Sequence, residues 1–97
     1  MDADKVISAL NSKLRREILR IISEEPMTVI QVLDELKRKK FEIEYRESVY
    51  RALEKLLDAG LVEKYYIKEK GLCYTTKVKL VVIDLMKDNV ELRDSNS

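Results

Sequence analysis

Between residues 46 and 76 the chain reads RESVYRALEKLLDAGLVEKYYIKEKGLCYTT, and its hydrophobic rhythm changes at one glycine. Before Gly60, the residues Val49, Ala52, Leu53, Leu56 and Leu57 recur at the period of a helix with one buried side. After it, LVEKYYIK and LCYTTK flank EKG, a pattern that predicts two strands around a turn with Gly71 at a turn position. Gly60 occupies the place just past the helix, where a residue without a Cβ enters the left-handed region most cheaply. A helix that stops on a glycine and runs straight into a hairpin leaves little freedom. The hairpin must fold back beside it.

The rest of the chain predicts further helices. Asp2 or Asp4 caps a short one carrying Val6, Ile7 and Leu10. Ser12 caps a second, with Leu14, Ile18, Leu19, Ile21 and Ile22 on a broad apolar face, and Pro26 ends it for want of an amide hydrogen. Thr28 caps a third, with Val29, Val32, Leu33 and Leu36 inward; it dissolves into KRKK and a connector, FEIEY, whose alternation reads as a brief extended piece. The fourth helix spans roughly 46 to 59. The final stretch, VKLVVIDLMKDNVEL, places Val78, Val81, Val82, Leu85 and Met86 on a wide stripe and reads as a C-terminal helix. The expected fold is mainly α with one small β-hairpin, a single domain over residues 1–93 with 94–97 as a frayed tail.

Composition narrows the class. The 97 residues suffice for one modest core without disulfides, and Cys73, the only cysteine, reads as a small buried hydrophobe in a reducing cytoplasm. No run approaches a membrane span and MDADKVISAL is not a signal peptide, so a cytoplasmic protein with no membrane partner is expected. Charged residues make up 38% of the chain, and their interspersed Lys and Glu hint at a thermophile. With no histidine, no glycine-rich phosphate loop and no nucleophile motif, neither catalysis nor a cofactor is expected. Net charge is only +1, but residues 37–77 hold eleven Lys or Arg against seven Asp or Glu, a local +4, while the remainder is at −3. Local basicity is what a phosphate backbone would meet.

Two helices joined by a short connection and followed at once by a hairpin make a helix-turn-helix with a wing. SVYRALEKLLDAGLVEKYY resembles the recognition helix and first wing strand of winged-helix transcriptional regulators. Its AGLV ending, and SKLRREILRIISEEPMTVIQVLDEL upstream, are similar to the arsenical-resistance-repressor group. VYRAL is closer to the phenolic-acid-response and ferric-uptake winged helices, which commonly place a tyrosine there. The resemblance covers about residues 12 to 77 and implies a winged helix that binds double-stranded DNA. It does not extend to metal sensing, which in these groups uses Cys or His clusters that this chain lacks. Nor do residues remain for the second, metal-binding dimerisation domain of ferric-uptake proteins. The connector from Lys37 to Tyr45 is also longer than the tight turn of a simple repressor.

Candidate contacts follow from the helical wheel. With Val49 inward, Glu47, Ser48, Arg51, Glu54 and Lys55 face outward and Tyr50 sits at the boundary, one turn from Arg46. An outward arginine can pair bidentately with guanine, and Ser or Tyr hydroxyls reach base edges or phosphates. Glu47 would hold Arg51 or accept from a cytosine amino group, whereas Glu54 is expected to lie away from the groove. The bland alternative is a solvated face with a Glu47–Arg51 pair. Lys37, Arg38, Lys39 and Lys40 would meet phosphates, or only complement a helix C-terminus. Lys68 and Lys70 at the wing tip would meet the minor groove or flanking backbone. Tyr65, Tyr66 and Tyr74 are read as core and cross-strand packing. The stripe Val78, Val81, Val82, Leu85 and Met86 is read as a homodimer interface, the alternative being packing on the chain's own first helix. The whole predicts a homodimeric DNA-binding transcriptional regulator, with promoter occlusion and hence repression as its simplest mechanism. A winged helix serving as a protein-interaction module in a transcription or replication assembly is the competing reading, favoured by the near-neutral charge and the glutamates on the fourth helix. Neither an operator nor a small-molecule effector can be named from sequence.

Overall fold

The computed structural model describes residues 2–94. Four helices come first: α1 (Ala3–Leu10), α2 (Lys13–Glu24), α3 (Val29–Arg38) and α4 (Arg46–Asp58). Two antiparallel hairpins follow, β1 (Glu63–Ile67) with β2 (Gly71–Thr75), then β3 (Leu80–Asp84) with β4 (Asn89–Arg93).

The helix starts obey their caps. Asp2, Ser12 and Thr28 each accept a backbone N–H three residues on, from Lys5, Arg15 and Gln31. Gln31 returns the favour to the Thr28 N–H, closing a capping box. α1 ends against arginines of α2, since Arg15 Nε donates to the Ala9 carbonyl at 2.8 Å and Arg16 to that of Leu10 at 2.6 Å. α2 stops at Glu24, two residues short of Pro26. The helices bury Val6, Ile18, Ile22, Val32, Leu36, Val49, Leu53 and Leu56 in one core, to which β2 adds Tyr74.

The connector forms no strand. Phe41 and Ile43 still turn onto the core, with Glu42, Glu44 and Tyr45 exposed, so its alternation is one of burial only. The wing is tied to the helices on its far side. Met27 and Tyr74 exchange backbone hydrogen bonds of 3.0 and 2.8 Å, making the α2–α3 connection a third, one-residue strand beside β2. Thr75 and Thr76 hydroxyls donate to the Ile22 and Leu61 carbonyls, anchoring the wing's exit.

The expected C-terminal helix is instead the hairpin β3–β4, in register Leu80↔Arg93 through Asp84↔Asn89. Val78, Val81, Val82 and Ile83 are β-branched and lose side-chain freedom in a helix but not on a pleated strand. Asp84 breaks the run, because its carboxylate accepts the N–H groups of Met86 and Lys87, both at 3.0 Å, and locks a turn. Asp88 completes it at φ 50°. The cross-strand pairs Val81↔Leu92 and Ile83↔Val90 share one face, and Val90, Val81 and Leu92 pack on the core beside α1. Val78 and Val81 therefore serve the chain's own core, while Val82, Leu85 and Met86 stay exposed. The tail expected over residues 94–97 lies, apart from Asp94, outside the described residues. Among the described residues no helix is long and apolar enough to cross a membrane.

Candidate nucleic-acid interface

The position of α4 is set at both ends. At its C-terminus Gly60 takes φ 79°, letting its N–H reach the Leu57 carbonyl and that of Leu61 reach Leu56, each at 3.0 Å. That pair of bonds is a Schellman ending, and it turns the chain directly into the wing. At its N-terminus Tyr45 provides no side-chain cap, and its carbonyl accepts from the Ser48 N–H at 3.1 Å.

Glu54 joins α4 to the wing. Its Oε2 accepts from the Tyr74 hydroxyl at 2.7 Å and from Lys64 Nζ at 3.0 Å, and the Lys64 ammonium lies 5.8 Å from the Tyr74 ring centroid. The Tyr74 hydroxyl, and after it Lys64, hold the Glu54 carboxyl below the usual carboxylate range. Burial, and then the Glu54 carboxylate, push the Tyr74 phenol up. Glu54 is thus turned to the wing: it satisfies a buried phenol, the one polar atom of a ring that fills the core between α4 and β2. Wheel geometry alone could send Glu54 outward but could not supply the partner.

All twelve DNA-contact candidates are exposed, but they do not form one surface. Arg46, Glu47 and Tyr50 line a shallow apolar cleft with Thr28, the N-cap of α3, with Val29 and Ile30 of α3, and with Leu72 and Tyr74 of β2. Arg51 lies one turn on and pairs with Glu47 at 3.6 Å, a pair that both readings of the helix allow. Ser48 lies apart, beside Leu14 of α2 and Phe41 and Tyr45 of the connector. Lys55 lies beside Asp4, Lys5, Ser8 and Asp58, near α1 rather than the wing.

The KRKK run is partly engaged within the chain. Arg38 pairs with Glu35 at 3.2 Å, and Lys39 reaches back to Glu17 at 3.5 Å, a nearly buried carboxylate that Arg20 also contacts. Lys37 and Lys40 have no ion pair among the described residues. At the wing, Lys70 folds back so that Nζ donates to the Pro26 carbonyl at 2.7 Å, leaving Lys68 as the tip's free cation among the described residues. Tyr74 is buried as expected, whereas Tyr65 and Tyr66, which point to opposite faces of β1, both stand in solvent because neither face of that strand is covered there. Cys73 is buried, its thiol 3.5 Å from the Gly71 carbonyl.

Sequence reasoning missed the apolar part of this surface. Ile30, Tyr50 and Leu72, from three different elements, are 45%, 46% and 49% exposed around the same cleft. Ile30 carried a local signal, standing outside the inward set of α3. Leu72 carried none, because strand phase alone does not say which face meets α3.

No protein-family model matches the chain, and no curated protein does. Solved structures do. The Vibrio cholerae ferric uptake regulator overlays 99% of this chain and 79% of its own, at a TM-score of 0.60 and 16% identity. A manganese uptake regulator (TM-score 0.59, 22% identity) covers 96% of this chain and 73% of its own. A zinc-bound manganese uptake regulator (0.58, 20%) covers 99% and 78%. All three are metal-uptake regulators by name, and none is an arsenical-resistance or phenolic-acid-response protein. At such identities it speaks to architecture alone: four helices and a hairpin beside the fourth are a winged helix.

Proposed function

We propose that this chain is a transcriptional regulator that binds double-stranded DNA through the N-terminal half of α4, in the cytoplasm and without enzymatic activity of its own. The observation that carries this reading is the solvent-facing set Arg46, Tyr50 and Arg51 on a helix whose angle is fixed by a wing at its side. Arg46 and Arg51 would contact base edges, with Glu47 holding Arg51 in place. Lys37, Lys40 and Lys68 would contact phosphates, adding affinity without sequence information. Support also comes from the fold's occurrence in metal-uptake regulators, one of them described with DNA-binding domains. Repression by occluding a promoter remains the simplest mechanism.

A homodimer would match a two-fold DNA site. Its seam would lie on the outer face and tip of β3–β4, where Leu80, Val82, Leu85 and Met86 are exposed, with Leu85 and Met86 at 85% and 95%.

The protein-interaction reading keeps one specific observation, the apolar rim of Ile30, Tyr50 and Leu72 on the same face. Both readings meet in one experiment: binding of the purified protein to its own upstream DNA across a salt series. The DNA reading expects log K to fall linearly with log salt at a slope of about −0.9 per phosphate neutralised. A flat salt response would transfer the face to a protein partner, and equal affinity for unrelated duplexes would reduce it to sequence-independent phosphate binding.

A further inference from the structure

A second cleft lies on none of these surfaces. It is formed where α2 meets the chain entering β3, and holds about 270 Å³. Its wall carries three cations, Arg16 and Arg20 from successive turns of α2 and Lys79 from the facing segment, with the Ser23 hydroxyl beside them and no carboxylate among the lining residues. Its floor is apolar, with Leu19, Leu61 and Val81 exposed only in part or not at all.

The charge here is poorly compensated. Arg16 spends a hydrogen bond on the Leu10 carbonyl, a neutral partner. Arg20 pairs with Glu17, whose other oxygen is already near Lys39. The Lys79 ammonium has no hydrogen bond or ion pair among the described residues; only its backbone N–H is engaged, with the Arg93 carbonyl at 2.8 Å. The chain outside residues 37–77 is at −3, so three cations on one small wall run against the local balance.

We infer that this cleft binds a small amphipathic anion, a carboxylate with a short apolar body. The carboxylate would accept from Arg16, Arg20 and Lys79, which a planar guanidinium and a flexible ammonium do readily. The body would cover Leu19, Leu61 and Val81, surface that a hydrated inorganic ion or a DNA phosphate leaves wet. The volume sits just below the ~300–1,000 Å³ of drug-sized sites, which limits the body to a few carbons. Such a ligand would touch α2 and the strand leading to β3 together, holding the second hairpin against the winged helix.

The test is calorimetric titration of the whole protein with hexanoate, acetate and hexan-1-ol at fixed ionic strength. Hexanoate should bind about ten-fold tighter than either control and slow amide exchange in β3 and β4. Lys79→Glu should keep the melting midpoint and lose about ten-fold in hexanoate affinity, and Arg20→Gln should lose affinity too. Equal binding of acetate would mean loose counterions, and equal binding of hexan-1-ol a merely greasy groove; either overturns the inference. So does hexanoate binding unchanged in Lys79→Glu, or displacement of hexanoate by an unrelated DNA duplex, which would make the cleft a phosphate contact.

Discussion

Lys40→Gly should make the protein more stable and, on the DNA-binding reading, a weaker DNA binder. α3 and α4 end in the same way. Lys40 and Phe41 donate to the Lys37 and Leu36 carbonyls as Gly60 and Leu61 donate to Leu57 and Leu56, all at 3.0 Å. The residue in the left-handed position is glycine in α4, at φ 79°, but lysine in α3, at φ 66°. A Cβ there costs about 1–2 kcal/mol, and glycine gives back roughly 0.5–1 kcal/mol through the freedom of the unfolded chain. The net gain is about 0.5–1 kcal/mol, a rise of roughly 2–8 °C in the melting midpoint of a domain this size. The Lys40 side chain is exposed and has no ion pair among the described residues, so no other contact is lost. Circular dichroism melts measure the first effect. Titration of the protein's upstream DNA across a salt series measures the second, for which the slope should shallow by about one unit if Lys40 meets a phosphate. A midpoint that stays put or falls would refute the strain argument. An unchanged salt slope would remove Lys40 from the interface.

Gly60→Val, the converse change, should cost about 1 kcal/mol or more, and an unshifted thermal midpoint would sink the assignment of the α4 ending. Arg51→Ala should leave the melt nearly unchanged, its pairing with Glu47 being fully exposed to screening, yet weaken binding to the specific DNA site by about 1–3 kcal/mol; wild-type affinity would move base reading elsewhere. Tyr74→Phe removes a 2.7 Å hydrogen bond to a carboxylate and should cost about 1–2 kcal/mol by urea titration. Because the Glu54 pKa is lowered on folding, this stabilisation is present above the ordinary carboxylate pKa of about 4.5 and is lost as the pH falls through the depressed value. The gap between wild type and Tyr74→Phe should accordingly close on the acid side, and a gap that persists there would contradict the assignment. Leu85→Glu should yield a folded monomer with most DNA affinity lost, and light scattering that finds the wild type already monomeric at micromolar concentration would dispose of the dimer.

The winged part was legible because its signals are local. Asp2, Ser12 and Thr28 lie three residues from the N–H groups they cap, and Gly60 and Leu61 donate to carbonyls three and five positions back. Such distances are determined by backbone geometry before any tertiary contact forms. The C-terminal segment defeated the same reasoning because Val78, Val81, Val82 and Leu85 satisfy a helical period while the β-branching of the three valines and Ile83, with the Asp84 turn, favours a strand. Which period wins depended on whether Val90 and Leu92 would lie opposite Ile83 and Val81, a pairing that no window of a few residues contains.

The candidate site divides along the same line. Helical phase alone determined that Arg46, Glu47, Tyr50 and Arg51 leave the core, since Val49, Ala52, Leu53 and Leu56 must enter it. Only the tertiary structure decided who stands beside them. It brought Ile30 and Leu72 to Tyr50, turned Lys70 back to Pro26, and gave Glu54 to Tyr74, 20 residues away. It also carried Lys79 across to Arg16 and Arg20. A single sequence records the direction of each side chain relative to its own helix or strand. It does not record the angle at which one element crosses another, and that angle, set by how the whole core packs, decides which directions converge.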